Sequence, residues 1–376
     1  MFSCTPIRMR WLGILGLALA AGPAAGAVEY TATDLGTLFT GGDVVSSLTF
    51  AYDLNNNGVV VGYCQTLDPG GTRGPPVAFV YAGAIQPIGS LGGDESLASG
   101  VNAAGRVAGW STIVTGGAAH GFLYDPVSPP MQDLGAGTRG SRVNDSDEVA
   151  GDSGTHAGLY TGGAWQDLGV LVGGSWSQAY DVSNGGLVVG SSDTASGNRH
   201  AFLYPGGGAA PQDLGVLAGG NWSDAYGIND AGHIVGTSAI DMIGEDWRGF
   251  VIAGGPMAPL PAMAPAPCPN WAFDINSSDV IVGRTYDRTL GAGAEVHAFI
   301  YDGGTMRDLN DLIDPSLGFL LTEARAINDA GWIAANGLNA AGEERAFLLV
   351  PIPEPATLAL MGLGAAAMIV LRRRRG

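Results

Sequence analysis

The chain has 376 residues, of which 46% are hydrophobic and 14% charged, and a formal net charge of −18. That length and apolar content allow a large buried core and exclude a disordered or disulfide-built protein. Between Val28 and Val350 there are 11 Arg, no Lys and 34 Asp plus Glu, a net charge of −23; such a surface repels phosphate backbones and argues against a nucleic-acid partner.

At the N-terminus, Arg8 and Arg10 precede the apolar run Trp11 to Ala21, then Gly22-Pro23 and Ala25-Gly26-Ala27. This order reads as a secretory signal peptide spanning residues 1–27, with Ala25 and Ala27 as the small residues of its cleavage site. Cys4 leaves with the signal. The exported part keeps only Cys64 and Cys268, and a bond between them needs Cα atoms within about 7 Å.

From residue 28 to residue 350 the chain repeats itself. Aligned on the asparagine of Ile-Asn-Asp-Ala-Gly, seven units fall at Asn55, Asn102, Asn144, Ser183, Asn229, Asn276 and Asn328, spaced by 47, 42, 39, 46, 47 and 52 residues. Each holds four short apolar segments rich in Val, Ile, Phe and Tyr and separated by glycine or proline, which is the grammar of strands. Asn229-Asp230-Ala231-Gly232 reads as a tight hairpin whose glycine takes a positive φ. Four strands per unit of about 45 residues is the period of a β-propeller blade. The last His-Ala-Phe-like strand, Ala346 to Val350, lacks the Asp-Leu-Gly strand that follows it elsewhere, and the first Asp-Leu-Gly strand, Tyr30 to Leu35, lacks a predecessor. The reading is therefore an all-β, seven-bladed propeller whose ring closes by pairing these two strands in one blade, which removes the exposed edges that an open array would leave.

Segments such as His200-Ala201-Phe202-Leu203-Tyr204 and His297-Ala298-Phe299-Ile300-Tyr301, with Asp167-Leu168-Gly169, Asp213-Leu214-Gly215 and the pairs Gly173-Gly174 and Gly219-Gly220, resemble the repeats of the bacterial extracellular HAF family. The match is patchier at His120-Gly121-Phe122, His156-Ala157-Gly158 and Arg345. The resemblance implies an exported repeat protein without established activity.

The candidate chemistry is sparse. His120, His156, His200 and His297 share one repeat position, so a ring distributes them, and an imidazole bond to a neighbouring blade's backbone is their expected role. Gly151-Asp152-Ser153-Gly154 looks like a serine-nucleophile segment, but Ser111, Ser192 and Ser238 stand at the same repeat position, so repetition explains the serine. Asp53-Leu54-Asn55-Asn56-Asn57-Gly58 begins like a calcium loop yet has Cys64 where the bidentate acid belongs. A surface calcium ion fits Asp145, Asp147 and Glu148 better, and no other cofactor is expected. Trp176 and Trp222 stand at one position of adjacent units in glycine-flanked loops; with Asp224 they could stack and hydrogen-bond a sugar ring, or they fill the gap between blades.

After the repeats, Pro351, Pro353 and Pro355 forbid a helix. Residues 356–371 form an uncharged apolar run of about 24 Å if helical, a short membrane span, and Arg372, Arg373, Arg374 and Arg375 follow as a basic tail held on the cytoplasmic side. A single-pass anchor explains the run and the arginines but not Pro353-Glu354-Pro355. The whole segment resembles the PEP-CTERM sorting signal of bacterial envelope proteins. That resemblance implies processing by an exosortase, transient anchoring by the helix, and a final place in the cell envelope or outside the cell.

Two functions are compatible with this sequence. One is a non-enzymatic binding or structural component of the cell surface or exopolysaccharide matrix, with a surface glycan as partner. The other is a carbohydrate-active hydrolase or lyase on a propeller scaffold, with Asp224 or Glu245 as candidate acids.

Overall fold

A computed structural model describes residues 29–39, 46–128, 130–242, 246–263, 268–286 and 296–353. Seven four-stranded antiparallel sheets form a seven-bladed β-propeller. In chain order the inner strands are Ser46–Leu54, Ser96–Val101, Thr138–Val143, Ser177–Val182, Ser223–Ile228, Asn270–Ile275 and Leu320–Ile327, which head blades 1 to 7. The outer strand of blade 7 is Tyr30–Asp34, paired antiparallel with Glu344–Pro351 from Tyr30↔Pro351 to Asp34↔Phe347. This is the closure read from the two orphan strands.

Each inner strand carries a β-bulge at the residue three before the repeat asparagine, as between Ala51 and Asp53 in blade 1 and Ala225 and Gly227 in blade 5. The bulge turns a carbonyl onto the second strand, where blades 1 to 6 have glycine; blade 7, whose inner strand has a second bulge between Leu321 and Glu323, has Ala335. A Cβ on Gly62 would stand 1.9 Å from the Phe50 oxygen, and one on Gly236 1.9 Å from the Asp224 oxygen.

The repeat asparagine joins the blades. Its side-chain oxygen closes its own hairpin, and its Nδ2 donates to the backbone oxygen of the same position one blade on: Asn55 to Asn102 at 2.8 Å, Asn102 to Asn144 at 3.0 Å, Asn144 to Ser183 at 3.1 Å. The series resumes from Asn229 through Asn276 and Asn328 and returns to Asn55. Ser183 breaks it because its hydroxyl is too short to span the gap. Ser183→Asn is therefore expected to stabilise the ring by about 1 kcal/mol, the usual net worth of a hydrogen bond; urea melts would show it, and an unchanged or lower midpoint would contradict it.

The first residue of an inner strand binds the neighbour on its other side. Ser177 and Ser223 Oγ accept from the Ala157 and Ala201 amides of the preceding blades at 2.8 Å. Between blades the core is apolar, with Phe79, Phe122, Phe202, Phe250, Phe299 and Phe347 fully buried at one repeat position. Blade 3 has Gly158 there, and Trp165 fills the space, its ring against the glycine and its Nε1 donating to the Leu134 oxygen at 2.9 Å. That compensation explains the departure at His156-Ala157-Gly158.

The two faces of the ring differ. Ile333 pairs with both Ile327 and Leu349, so the last strand runs towards the asparagine hairpins and the chain leaves the ring on that face. Pro353 follows two residues after the strand ends at Pro351. Glu354 and Pro355, the span 356–371, Arg372 to Arg375 and the signal peptide with Ala25 and Ala27 lie outside the described residues. No helix among the described residues is long and apolar enough to cross a membrane.

Candidate functional site

The seven inner strands leave a channel along the ring axis, and residues near each hairpin decide what fills it. Two positions before the repeat asparagine stand Asp53, Gly100, Arg142, Asp181, Gly227, Asp274 and Ala326. Every aspartate here is followed, one blade on, by a residue small enough to reach past or by Gly100 itself. Asp53 accepts from the Val101 amide at 2.7 Å, Asp181 from Ile228 and Asp274 from Ile327 at 2.8 Å. Arg142 occupies the axis, ion-paired with Asp53 and with its Nε 3.9 Å from Asp181.

Burial raises the Asp181 carboxyl to about 7 although Arg142 pulls it down, and Asp274 opposes that pull. Burial likewise raises Asp274 to about 6 against the pull of Arg142. The guanidinium resists its own burial because Asp53, Asp181 and Asp274 surround it, and it stays charged. Arg142 borders both a depression of about 200 Å³ on the hairpin face and one of about 260 Å³ on the opposite face. It plugs the channel between them.

The second depression is the candidate site. Its wall includes the bulge residues Tyr52, Tyr180, Tyr226, Phe273 and Arg325, joined by Trp110 and Arg139 on blades 2 and 3. Tyr180 and Tyr226 have ring centroids 5.2 Å apart, and Tyr226 meets Phe273 at 5.8 Å, edge to face. The Arg325 guanidinium lies 4.5 Å from the Phe273 centroid and 5.2 Å from that of Tyr52, and Arg139 lies 5.2 Å from Trp110. These are cation–π distances, so the rings orient the guanidinium groups. Burial pushes the Tyr180 phenol up to about 12 and that of Tyr226 well above its usual range, which keeps both as hydrogen-bond donors. One carboxyl group lines the wall, Asp152; burial raises it to about 6 against the pull of Arg139 and a hydrogen bond from Gln178.

This set was not picked out from the sequence, although the signal was there. Aligned on the asparagine, the units share the hairpin, six of the seven have glycine on the second strand and six the buried phenylalanine, but the residue three before runs Tyr52, Ser99, Ser141, Tyr180, Tyr226, Phe273, Arg325. The paired column on the first two strands varies as much, with Leu97↔Trp110, Arg139↔Asp152 and Trp271↔Arg284. A column that changes where its surroundings repeat is free of the packing that makes blades alike.

Trp176 and Trp222 precede the inner strands of blades 4 and 5 at one position, on the mouth face, and both are partly buried. The Trp222 ring lies 5.8 Å from the Arg199 guanidinium. Asp224 is not a surface acid: only 1% of it is exposed, with Arg199 at 2.7 Å and the Tyr226 hydroxyl at 3.2 Å. Its carboxyl is raised by burial, which outweighs Arg199. Glu245 lies outside the described residues.

The histidine expectation needs correction. His120, His156 and His200 bond the aspartate of their own blade's Asp-Leu-Gly, at 2.9 to 3.0 Å from Asp133, Asp167 and Asp213, and His297 does the same with Asp308. The outer-strand aspartate stands opposite the residue two after each histidine, as in Phe122↔Asp133, Gly158↔Asp167, Phe202↔Asp213 and Phe299↔Asp308, so the two side chains meet on one face of the same sheet. Among the repeat serines, Ser192 and Ser238 donate to the Trp176 and Trp222 carbonyls and tie down the incoming loops.

The acidic hairpin of blade 3 is spent on blade contacts. Asp145 accepts from the Ala103 amide, Asp147 binds Asn102 and Arg106, and Glu148 binds Asn144 and Thr161. Asp147 takes the hairpin glycine's place with φ 62°, as Asp279 does with φ 61°. Each thereby reaches the asparagine of the preceding blade. Among the described residues no group of three His, Cys, Asp or Glu is placed to hold a metal, so the structure does not gather these carboxylates around a cation. Cys64 and Cys268 are both buried and form no disulfide.

Ring and tail together define an exported exosortase substrate built on a seven-bladed propeller: residues 351–375 match the family model of the PEP-CTERM protein-sorting motif. No curated protein matches the chain. Among solved structures it is similar to the β-propeller domain of the Trilobed protease from Pyrococcus furiosus, at 8% identity and a TM-score of 0.54 over 82% of this chain and 98% of that one. TolB from Acinetobacter baumannii matches at 12% identity and a TM-score of 0.37, over 83% and 65% of the two chains. The first of these likenesses is one of fold alone.

Proposed function

We propose that the exported part is a non-enzymatic binding component of the cell surface or exopolysaccharide matrix, delivered there by exosortase processing at Pro353-Glu354-Pro355. The observation that carries this reading is the opposition of two ends. The chain leaves for the sorting motif on the hairpin face, and the aromatic, arginine-lined mouth opens on the other, turned away from the membrane during sorting. Glycoside hydrolysis ordinarily uses two carboxyl groups about 5 to 9 Å apart, and the single carboxyl of the mouth supports binding over turnover. The HAF resemblance fits an exported repeat protein in this role.

The test is a pull-down of purified residues 28–353 with the producing organism's own exopolysaccharide, with and without calcium, beside a Trp176→Ala, Trp222→Ala variant. Retention of the wild type is expected, weakened in the variant if these loops share the contact. Absence of retention in every condition contradicts the matrix reading, and turnover of the glycan that one substitution abolishes contradicts the non-enzymatic one. For processing, Pro353-Glu354-Pro355 changed to alanines should leave the protein uncleaved and membrane-bound in a host with the sorting enzyme; unchanged release would contradict it.

A further inference from the structure

We propose that the mouth binds an acidic saccharide, a sugar unit bearing a carboxylate, with Arg139 and Arg325 meeting the charge and the surrounding aromatic rings supporting the sugar faces. This rests on the matrix-binding reading and names the ligand class of the same site.

Charge carries the argument furthest. The exported chain is strongly acidic, yet the wall of this depression holds three arginines and one carboxyl group. Arg142 is matched from below by the aspartates of the plug. Arg139 and Arg325 are matched by rings instead. Neither makes an ion pair within 4.0 Å with a described residue. The cross-strand partner of Arg139, Asp152, instead accepts from Gln178 at 3.2 Å. Guanidinium groups held in place by aromatic faces, with no carboxylate of a described residue within 4.0 Å, are preorganised for a planar anion, which they grip through paired N–H donors.

Arg325 Nε and Asp152 Oδ1, atoms of two wall residues, are buried without a protein hydrogen-bond partner. A buried donor or acceptor left without a partner costs about 1–3 kcal/mol, so neither side chain is fully satisfied by the protein alone. Tyr180, whose hydroxyl accepts from Ser191, adds a phenol donor, and Tyr180 and Tyr226 add ring faces, the pairing of stacking surface with fixed polar groups that sugar rings require. Because Arg142 closes the floor, ligand enters from one side only, which suits a chain end or a side branch. Aromatic faces with arginine would also suit single-stranded nucleic acid, but a track of phosphates would have to cross an acidic surface.

The ring closes on itself within residues 29–353, so the exported part can be tested alone. It is titrated by calorimetry at pH 7 and 0.15 M salt with oligosaccharides of galacturonate and of glucuronate, and with their methyl esters. Saturable binding to an acid form is expected, at least tenfold weaker for its ester. Arg139→Gln and Arg325→Gln should each weaken it at least tenfold without lowering the melting temperature. Arg73→Gln, at the exposed rim beside Glu344, should leave it unchanged. Equal affinity for acid and ester, or arginine variants that bind as the wild type does, would overturn the proposal. Binding to no acid form, with the exopolysaccharide pull-down still positive, would overturn it and leave the matrix reading standing; failure of both would remove both.

Discussion

Replacing Arg142 by methionine is expected to destabilise the ring by about 3–5 kcal/mol at pH 7.5, the cost of leaving buried carboxylates without their cation. Asp53, Asp181 and Asp274 converge on that guanidinium, and methionine fills its volume without its charge. The loss should shrink towards pH 5. Asp181 at about 7 and Asp274 at about 6 lie above the ordinary aspartate value, so between about pH 4 and 7 the native state holds more protons than the unfolded chain. Stability from these groups therefore rises as pH falls. The wild type should melt a few degrees higher at pH 5 than at pH 7.5, and the variant should gain more over the same interval because its carboxyls titrate higher still. Below about pH 4.5 the trend reverses. In Asp167, Asp193 and Asp329 partial burial is outweighed by donated hydrogen bonds that hold the carboxyls low, and their contribution is lost on protonation. Denaturant melts of both proteins at the two pH values decide the matter, and an equal cost at both would contradict the account.

Removing residues 29–36 should be more damaging. Those residues supply the outer strand of blade 7, the buried Tyr30 and Leu35, and Glu29, which takes both carboxylate oxygens to Arg307 of blade 6 at 2.7 to 2.8 Å. Without them Glu344–Pro351 becomes an exposed edge, the kind of template that pairs with another copy. A loss comparable with the whole stability of an ordinary domain, about 5–15 kcal/mol, is expected. The truncated protein should run as oligomers on a sizing column, and a synthetic peptide of residues 29–38 added in trans should restore the monomer by strand addition. A truncated protein that stays monomeric with an unchanged melting temperature would show that the ring does not depend on its closing strand.

The architecture was legible because the signals that define a blade are local. Asn-Asp-x-Gly sets a hairpin, the second-strand glycine of blades 1 to 6 sets the approach to the bulge, and two unmatched strands at opposite ends of the chain name each other as partners. What depends on the neighbouring blade was not legible. Asp224 reads as a polar residue beside a loop tryptophan, but the strand places it under Arg199 of the preceding blade. The histidines read as links between blades, yet each meets an aspartate of its own sheet diagonally across the third and outer strands. Asp147 and Glu148 read as oxygen ligands for calcium until Asn102 and Thr161 are seen to take them. The mouth escaped for another reason: its residues share no motif, and only the alignment of units on Asn55 through Asn328 turns their variety into a pattern.

The most direct test of the account is hydroxyl-radical footprinting of residues 28–353, alone and with the producing organism's exopolysaccharide. Tyr52, Trp110, Tyr180 and Tyr226 at the mouth should become protected, and Trp332, beside the hairpins on the sorting face, should not. Protection confined to Trp332 and its face would contradict the assignment of the mouth as the working surface.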